Sequence, residues 1–483
     1  MLPLSRARAA FRILISRTSV RLLALTLSTI LLYVLVIDEH VRPPTRFGMT
    51  FADYEEAEMG TASVNKSSTS IPKVLLVSAM FPLAKSKHSK ADYEDWLGRF
   101  LGSVTTDLYM YTTPELAPML RQIRDDALPI SSMTVNASYT SPFDIPPLRG
   151  LEETYTRMNN MDKEKWHHSP GLYAIWNAKP FLLDSAVKHL AAQGKVYDYA
   201  FWNDGGSFRR THRYKEWPSP ARVEQVWEEG AKLTGRKKED LLFFPIFQTP
   251  DWQLRKWKEG MGPIANSVQF SEGTLYFLGE RAGLIKATGS FFGGSASTIQ
   301  WFSKVFYAYH HYYLTRGLFV GIDQDIFNAL FLLFPERIFT VWMNDPLAPA
   351  HKGITPSPSL KPSLERGYLG ECGAEWFYYQ FWLADRSTRD VMRMIWLREE
   401  RWRRWGWWKE RKLCRVTRAM SMLDVLRRSF GEEWKSPPKS VVIPGENRLP
   451  TSSASGQSDA TTTTLRRNKG NFWQVQVSKR QYP

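Results

Sequence analysis

The sequence has 483 residues, of which 43% are hydrophobic, 14% aromatic and 23% charged, so a wholly disordered chain is excluded and one large domain or two ordinary ones are expected. The net charge is +16, which is compatible with an anionic small-molecule ligand or with nucleic acid. Two cysteines, Cys372 and Cys414, exclude a disulfide-built scaffold and form either one bridge or two free thiols.

An uncharged apolar run, Leu22 to Ile37, follows five arginines near the start of the chain. With its flanking residues it is long enough to span the core of a bilayer. A cleaved signal peptide is the alternative, which we disfavour because no small-residue cleavage site follows the run. The positive-inside rule then predicts a cytosolic tail over residues 1–19 and a single-pass type II anchor over residues 20–38.

The chain beyond the anchor divides into three predicted parts. Residues 39–71 are polar and indicate a stem, residues 72–433 form the lumenal domain, and the Ser- and Thr-rich residues 434–483 indicate a disordered tail. N-glycosylation sequons at Asn65 and Asn136 would be accessible in a secretory lumen. This layout predicts a membrane protein of the Golgi or the endoplasmic reticulum.

Strand and helix patterns alternate along the domain. Strands are predicted over 73–81, 108–112, 197–202, 241–244 and 338–342, and helices over 114–124, 180–191, 297–316 and 324–334. A basic, tryptophan-rich helical stretch over 387–430, with Ser387 as its N-cap, either packs on the domain or lies on a membrane surface. The alternation predicts an α/β fold with a mostly parallel sheet covered by helices on both faces.

The first candidate site follows the predicted strand at 197–202. Asn203, Asp204 and Gly205 come directly after its apolar residues, at the end where open α/β sheets bind ligands. A carboxylate there can hold a divalent cation, and the cation can hold a diphosphate. A tight turn in which Asp204 caps the local backbone is an equally good interpretation.

Two further motifs are candidates for the same chemistry. Phe292, Gly293 and Gly294 follow a predicted loop and open a predicted helix, where a ligand could lie against backbone N–H groups. A flexible helix start explains them equally well. Polar side chains crowd the start of the next helix, with Asp323 well placed as its N-cap. A carboxylate at that position can also orient a sugar hydroxyl or act as a base. These side chains are Asp323, Gln324, Asp325 and Asn328.

Other residue types contribute less. Lys179 could contact a phosphate, but from residue type alone a solvated lysine is the stronger interpretation. The adjacent pairs His167–His168 and His310–His311 are not expected to chelate a metal, since neighbours in a helix do not share a face. The sequence contains neither a His-Glu-x-x-His zinc motif nor a Gly-x-Ser-x-Gly nucleophile elbow.

Taken together, the three motifs resemble those of GT-A type glycosyltransferases. The strand ending in Trp202-Asn203-Asp204-Gly205 resembles the strand that carries the Asp-x-Asp motif of that superfamily. The Phe291–Ser295 segment resembles the Phe-Gly-Gly segment of the blood-group and α-1,3-galactosyl transferases. Asp323-Gln324-Asp325 resembles the late Asp-Gln motif of several retaining transferases, and the whole combination is similar to the HtrL/YibB-like proteins.

The resemblance implies a GT-A-like, Rossmann-like fold and a membrane-anchored lumenal glycosyltransferase. It implies a nucleotide-sugar donor, a glycan or glycoprotein acceptor and Mn²⁺ or another divalent cation held by Asp204. Asn203, Gly205 and Lys179 would join Asp204 at the donor, and Asp323, Asp325 or Gln324 would carry the catalytic role. Phe292, Gly293, Gly294 and Asn328 would shape the acceptor pocket.

The sequence departs from the Asp-x-Asp pattern, and this leaves alternatives open. Asn203 stands where the first aspartate is expected, unless Asp198 replaces it. A non-catalytic glycan-binding protein or complex subunit with the same fold is therefore a second hypothesis. A binder of nucleic acid or anionic lipid through residues 398–418 is a third, and the predicted lumenal location argues against nucleic acid.

Overall fold

The computed structural model of the protein describes residues 71–83, 85, 88–129, 132–264, 286–287, 289–342, 345, 377–403, 417–445, 463–467 and 473–477. The predicted tail at residues 1–19, the predicted anchor, Asn65 and both cysteines lie outside these ranges. Within the described ranges, no helix combines the length and the apolar character needed to cross a bilayer. The anchor therefore stays a prediction.

The first half of the domain builds four parallel strands. Strands β1 to β4 are Val74–Met80, Asp107–Thr112, Met133–Asn136 and Tyr199–Asn203. They are ordered β3-β2-β1-β4, so that β1 lies between β2 and β4. The helices that connect them, α1 to α4, are Lys90–Leu101, Ala117–Ala127, Glu152–Asn159 and Pro170–Ala192.

The second half extends the same sheet with strands of both directions. Strands β5 to β9 are Leu242–Gln248, Lys286–Ala287, Phe291–Gly294, Ile338–Trp342 and Ala419–Ser421. β7 is antiparallel to both β4 and β5, whereas β5 and β8 are parallel. β6 pairs antiparallel with β5, and β9 pairs antiparallel with β8. The remaining strands, Thr463–Arg467 and Trp473–Val477, form a separate antiparallel pair.

The helices of the second half, α5 to α10, are Pro220–Thr234, Ala296–Leu314, Asp323–Leu333, Tyr379–Trp382, Arg386–Arg403 and Met422–Phe430. Helices cover both faces of the sheet, and alternate residues of β1 enter two separate cores. Leu75 and Val77 face one core, and Val74 and Leu76 face the other. Burial on both faces explains why β1 is an almost continuous apolar run. The predicted mixed α/β sheet with flanking helices is confirmed.

Helix α4 begins ten positions before the predicted start at Pro180, which lies inside the helix. Ser169 is its N-cap and accepts a hydrogen bond from Leu172 N, while Pro170 occupies the first helical position. An interior proline normally costs about 3 kcal/mol because it removes one helical hydrogen bond. The buried face of α4 offsets that cost, so tertiary packing overrides the local proline preference.

The predicted single helix over 387–430 is also corrected. Its cap is Asp385, whose carboxylate accepts Thr388 N, rather than Ser387. The stretch is interrupted by β9, and α10 starts anew at Met422. The strand predicted over 241–244 is longer than expected, because β5 continues through Pro245, which pairs with Val341, to Gln248.

The start of the predicted disordered tail is packed against the domain. Ser440 N donates to Glu259 Oε2 at 2.8 Å, and the side chain of Ile443 is buried. Burial of Glu259 explains this contact, since a buried carboxylate must find hydrogen-bond donors. These residues therefore belong to the folded domain, although most of the predicted tail lies outside the described residues.

Candidate functional site

The chain reverses its direction of travel across the sheet between β1 and β4. It passes from β1 to β2 and β3 on one side and then returns to place β4 on the other side of β1. Open α/β sheets bind ligands outside the carboxyl ends of the strands at such a point. Gly205 follows β4 here, and a Cβ on it would lie 3.5 Å from the carbonyl oxygen of Ala79 at the end of β1.

Asp204 is the carboxylate at this crevice. Its backbone N–H donates to Ser290 O at 2.9 Å, and its Oδ1 accepts Trp202 Nε1 at 2.6 Å. The side chain still keeps 34% of its surface exposed. Asp204 is thus held by neighbouring strands and nevertheless faces solvent, as a ligand-binding carboxylate must.

Lys179 reaches the same point from the middle of α4. Its Nζ lies 3.2 Å from Asp204 Oδ1 and 3.0 Å from Asp323 Oδ2, and it donates to Gly289 O at 2.7 Å. Only 4% of the side chain is exposed. The interpretation of Lys179 as a solvated lysine is therefore wrong, because the amine is a buried cation between two carboxylates.

Asp323 completes this group, which we call the Lys179 cluster (Lys179, Asp204 and Asp323). Burial, with a smaller contribution from Asp204, raises the pKa of Asp323 to about 6 although Lys179 opposes the shift. Burial by itself would lower the pKa of Lys179, but the charges of Asp204 and Asp323 outweigh it and raise that pKa. One cation faces two carboxylates, so the cluster favours a further positive charge at its solvent side.

The predicted N-cap role of Asp323 is wrong. The N-cap is Ile322, and Asp323 is the first helical residue of α7, with its Oδ1 accepting Gln324 N at 2.9 Å. Its other oxygen is thereby directed to Lys179. Gly289 covers the pair, since a Cβ there would lie 3.1 Å from Asp323 Oδ2 and 3.0 Å from Gln324 Cγ.

Asn203 and the remaining residues of the late motif are placed differently. Asn203 is fully buried, its Oδ1 accepts Ser207 Oγ and its Nδ2 donates to Asp204 O, so it fastens the turn after β4. Asp325 is fully buried two positions beyond Asp323, about 200° further around α7. Asn328 is also fully buried, and its Nδ2 lies 3.5 Å from Ile264 O.

Asp198 does not replace the first aspartate of the Asp-x-Asp pattern. It precedes β4, and its Oδ2 accepts Lys73 N at 2.7 Å near the start of β1. The five residues of β4 lie between Asp198 and Asp204, and the six steps of strand from one to the other span about 20 Å. The crevice therefore receives a single carboxylate from β4.

The Phe-Gly-Gly segment forms strand β7 instead of the predicted helix start, and the helix begins after it at Ala296. Gly293 pairs with Phe201 of β4 and with Phe243 of β5, and Gly294 lies beside it in the same register. Phe292 is buried and stacks on Phe244. The segment thus lies in the middle of the sheet, and its role as a pocket wall stays a prediction.

We expect Gly293→Ala to destabilise the protein by about 3 kcal/mol. A Cβ at this position would overlap the carbonyl oxygen of Ala200 and lie 2.6 Å from Phe201 Cδ1, where the strand backbones leave no room. Urea denaturation measures the loss. Gly98→Ala, in α1 with open space around it, is the matched control and should gain up to about 1 kcal/mol. Equal stabilities of the two variants would contradict the packing role of Gly293.

Two residues near the crevice were not predicted from the sequence. Arg209 stacks over Trp96 at 4.3 Å, and its Nε donates to Gly206 O. Burial lowers the pKa of its guanidinium, and the negative charge of Asp204 opposes that shift. Tyr379 is buried, stacks on Phe291 and donates to Ser290 Oγ at 3.3 Å. The position of Arg209, five residues after Asp204, was a signal in the sequence that could have identified it as a residue of the crevice. The sequence offered no such signal for Tyr379.

The crevice fits a hard divalent cation with one protein carboxylate. Such cations prefer oxygen ligands, and small ones are commonly held by one or two carboxylates together with substrate phosphates and water. Asp204 supplies a solvent-facing oxygen, and the two-to-one excess of carboxylates over amines in the Lys179 cluster favours a cation there. Asn203, which faces inward, is not placed to serve as a second ligand.

Comparisons with known proteins give no family. No protein-family model matches the sequence, and no curated protein matches it significantly. Solved structures that align with the chain include mouse xyloside xylosyltransferase 1, with 8% identity over 55% of this chain and 83% of that chain and a TM-score of 0.31. Core-mannan synthase A from Aspergillus fumigatus, in a form with Mn and GDP, aligns with 12% identity over 58% and 75% of the two chains and a TM-score of 0.34.

A third structure, 4-diphosphocytidyl-2C-methyl-D-erythritol synthase from Anaerococcus prevotii, aligns with 10% identity over 56% of this chain and 87% of that chain, with a TM-score of 0.26. TM-scores this low carry no argument about the present chain.

Proposed function

We propose that the protein is a GT-A type glycosyltransferase that moves a sugar from a nucleotide-sugar donor to a glycan or glycoprotein acceptor. The proposal rests on one observation, the convergence of Lys179, Asp204 and Asp323 outside the carboxyl end of β4. A buried cation between carboxylates at a sheet crevice is typical of a functional site. We propose further that residues 20–38 anchor the domain, as a single-pass type II protein, in the Golgi or endoplasmic reticulum membrane.

The donor diphosphate would bind on the solvent side of Asp204. A divalent cation, when bound, supplies positive charge that stabilises the departing nucleoside diphosphate. Asp204 would hold that cation, and Lys179 keeps the Asp204 carboxylate in place from behind. Arg209, which lies within electrostatic range of Asp204, would donate to a phosphate oxygen.

Of Asp323 and Asp325, Asp323 is the better candidate for the carboxylate that acts on the acceptor hydroxyl. Its pKa of about 6 makes it ionised at neutral pH yet able to take a proton, as a general base requires. Its Oδ1 accepts Gln324 N, so the proton of an acceptor hydroxyl that enters beside Gly289 would pass to Oδ2, the oxygen that faces Lys179. Gln324, whose Cγ lies beside Gly289 at the mouth of the cluster, would orient that hydroxyl.

A non-catalytic glycan-binding protein or complex subunit is the second candidate function. The amide of Asn203 favours it, because an inward-facing asparagine in place of the first aspartate leaves one solvent-facing carboxylate, that of Asp204, where the Asp-x-Asp pattern has two. The two candidates differ in whether the crevice binds a nucleotide.

Thermal unfolding of the full-length chain in detergent tests the proposal. Nucleoside diphosphates and nucleotide sugars would be compared with and without Mn²⁺. A ligand present at 100 times its Kd should stabilise the native state by about 2.7 kcal/mol, which raises Tm by several degrees. Failure of every nucleotide to raise Tm would contradict the transferase and favour the second candidate.

A further inference from the structure

We propose that Glu164, His167 and His168 form a second metal site, suited to Zn²⁺, at the start of α4. One ligand atom of each residue lies within 4.8 Å of the other two. The site is distinct from the Lys179 cluster, because about 15 Å of helix separates Ser169 from Lys179. It does not depend on the proposed glycosyltransferase activity.

The distances among the three residues suit a tetrahedral ion after a small closure. His167 Nε2 lies 4.0 Å from Glu164 Oε1, and His168 Nε2 lies 3.9 Å from Glu164 Oε2. Ligands at about 2.0–2.1 Å from a tetrahedral zinc are about 3.4 Å apart. The Glu164 side chain is half exposed and can move inward by the difference, while both histidines are already buried.

The backbone explains why adjacent histidines share a face here. In a helix the two adjacent side chains would point apart, but these residues lie in the turn between α3 and α4. The backbone N–H groups of His167 and His168 both point to Glu164 O, each at 3.1 Å. This tight turn brings the two imidazole rings to a centroid separation of 4.3 Å and directs both Nε2 atoms to the same carboxylate.

A buried carboxylate orients one of the ligands. Asp162 Oδ2 lies 2.7 Å from His168 Nδ1, and only 2% of Asp162 is exposed. Asp162 also accepts Tyr173 Oη at 2.6 Å and Glu164 N at 2.8 Å, and these bonds hold it in place. A hydrogen on Nδ1 leaves the Nε2 lone pair of His168 facing Glu164, which is the usual carboxylate–histidine–zinc arrangement.

The donor set selects the class of metal. Two imidazole nitrogens and one carboxylate oxygen suit zinc better than calcium or magnesium, which prefer oxygen ligands. Three protein ligands leave a fourth position for water or another group. The bound ion would fix the conformation of the turn that leads directly into α4, the helix that carries Lys179.

Cobalt and zinc titrations of the metal-free, full-length protein test the proposal. We expect one equivalent of Co²⁺ to bind with the visible absorption of a tetrahedral site, and one equivalent of Zn²⁺ to displace it and raise Tm. Glu164→Gln removes a half-exposed ligand and should weaken zinc binding at least tenfold. Asp162→Asn should weaken it by about 10–100-fold because it misorients His168.

Glu153→Gln is the matched control. Glu153 is an exposed glutamate of the neighbouring α3 that pairs with Arg157, so its substitution should leave zinc binding unchanged. Less than one equivalent of bound metal would overturn the proposal, as would equal affinities of the Glu164 and Glu153 variants. In that case Glu164 is only an ion-pair partner of the histidines. If a nucleotide still raises the Tm of Glu164→Gln, the crevice binds its ligand independently of the proposed metal site, and the two proposals are tested separately.

Discussion

Replacing Asp204 with asparagine is expected to lower sugar transfer by about 10²–10³-fold while the protein stays folded. The amide has the size of the carboxylate, and its oxygen can still accept Trp202 Nε1. It lacks the negative charge that would hold a cation beside the donor diphosphate. The transfer rate at saturating donor and the Tm of the same preparation measure the two parts of this expectation.

Asp198→Asn is the matched control, because it makes the same chemical change at the opposite end of β4. This variant should keep full transfer activity and the Mn²⁺-dependent nucleotide shift in Tm. An Asp204→Asn protein with full activity would remove Asp204 from the mechanism. A loss of activity accompanied by an equal loss of fold would assign Asp204 a structural role instead.

Lys179→Met is expected to destabilise the protein by about 3–5 kcal/mol, the usual cost of removing one partner of a buried ion pair. The change leaves Asp323 and Asp204 facing each other in a site where only 3% of the Asp323 side chain is exposed. Methionine fills most of the volume of lysine, so the lost charge dominates the effect. Urea denaturation at neutral pH measures the difference in the free energy of unfolding.

The loss of stability should depend on pH with a definite sign. Without Lys179, only the weaker hydrogen bond from Gln324 N still opposes the effect of burial on Asp323, so its pKa rises above the value of about 6 in the original protein. A pKa that is higher in the folded than in the unfolded state means that stability falls as pH rises through it. Lys179→Met should therefore be more stable near about pH 5 than near about pH 8.

The double variant Lys179→Met/Asp323→Asn separates charge from packing. It should regain part of the lost stability and lose the pH dependence between about pH 5 and pH 8, because no buried carboxylate is left to titrate beside residue 179. A double variant that is no more stable than Lys179→Met would show that the amine acts by packing rather than by charge.

Local sequence pattern predicted five of the nine strands that the described residues contribute to the main sheet. The apolar run that forms β1 and the aromatic run that precedes Asp204 could be recognised as strands, because burial of a strand imposes a simple pattern on consecutive residues. Asp204 follows its strand directly, so its place at the edge of the sheet follows from chain order alone. The same local reasoning misplaced the start of α4 at Pro180, since the packing that tolerates an interior proline is not a local property.

What only the tertiary structure decided is the set of long-range partners. Lys179 was assigned to solvent from residue type, but it is buried because α4, β4 and α7 each bring one charge to the same point. Gly293 was expected at the start of a helix beside a ligand, yet two strand backbones flank it closely enough to require glycine. His167 and His168 share a face only because a turn replaces the assumed helix. The sequence determined which groups are present, and packing between distant segments determined their charge environment, because burial depends on neighbours that local pattern does not encode.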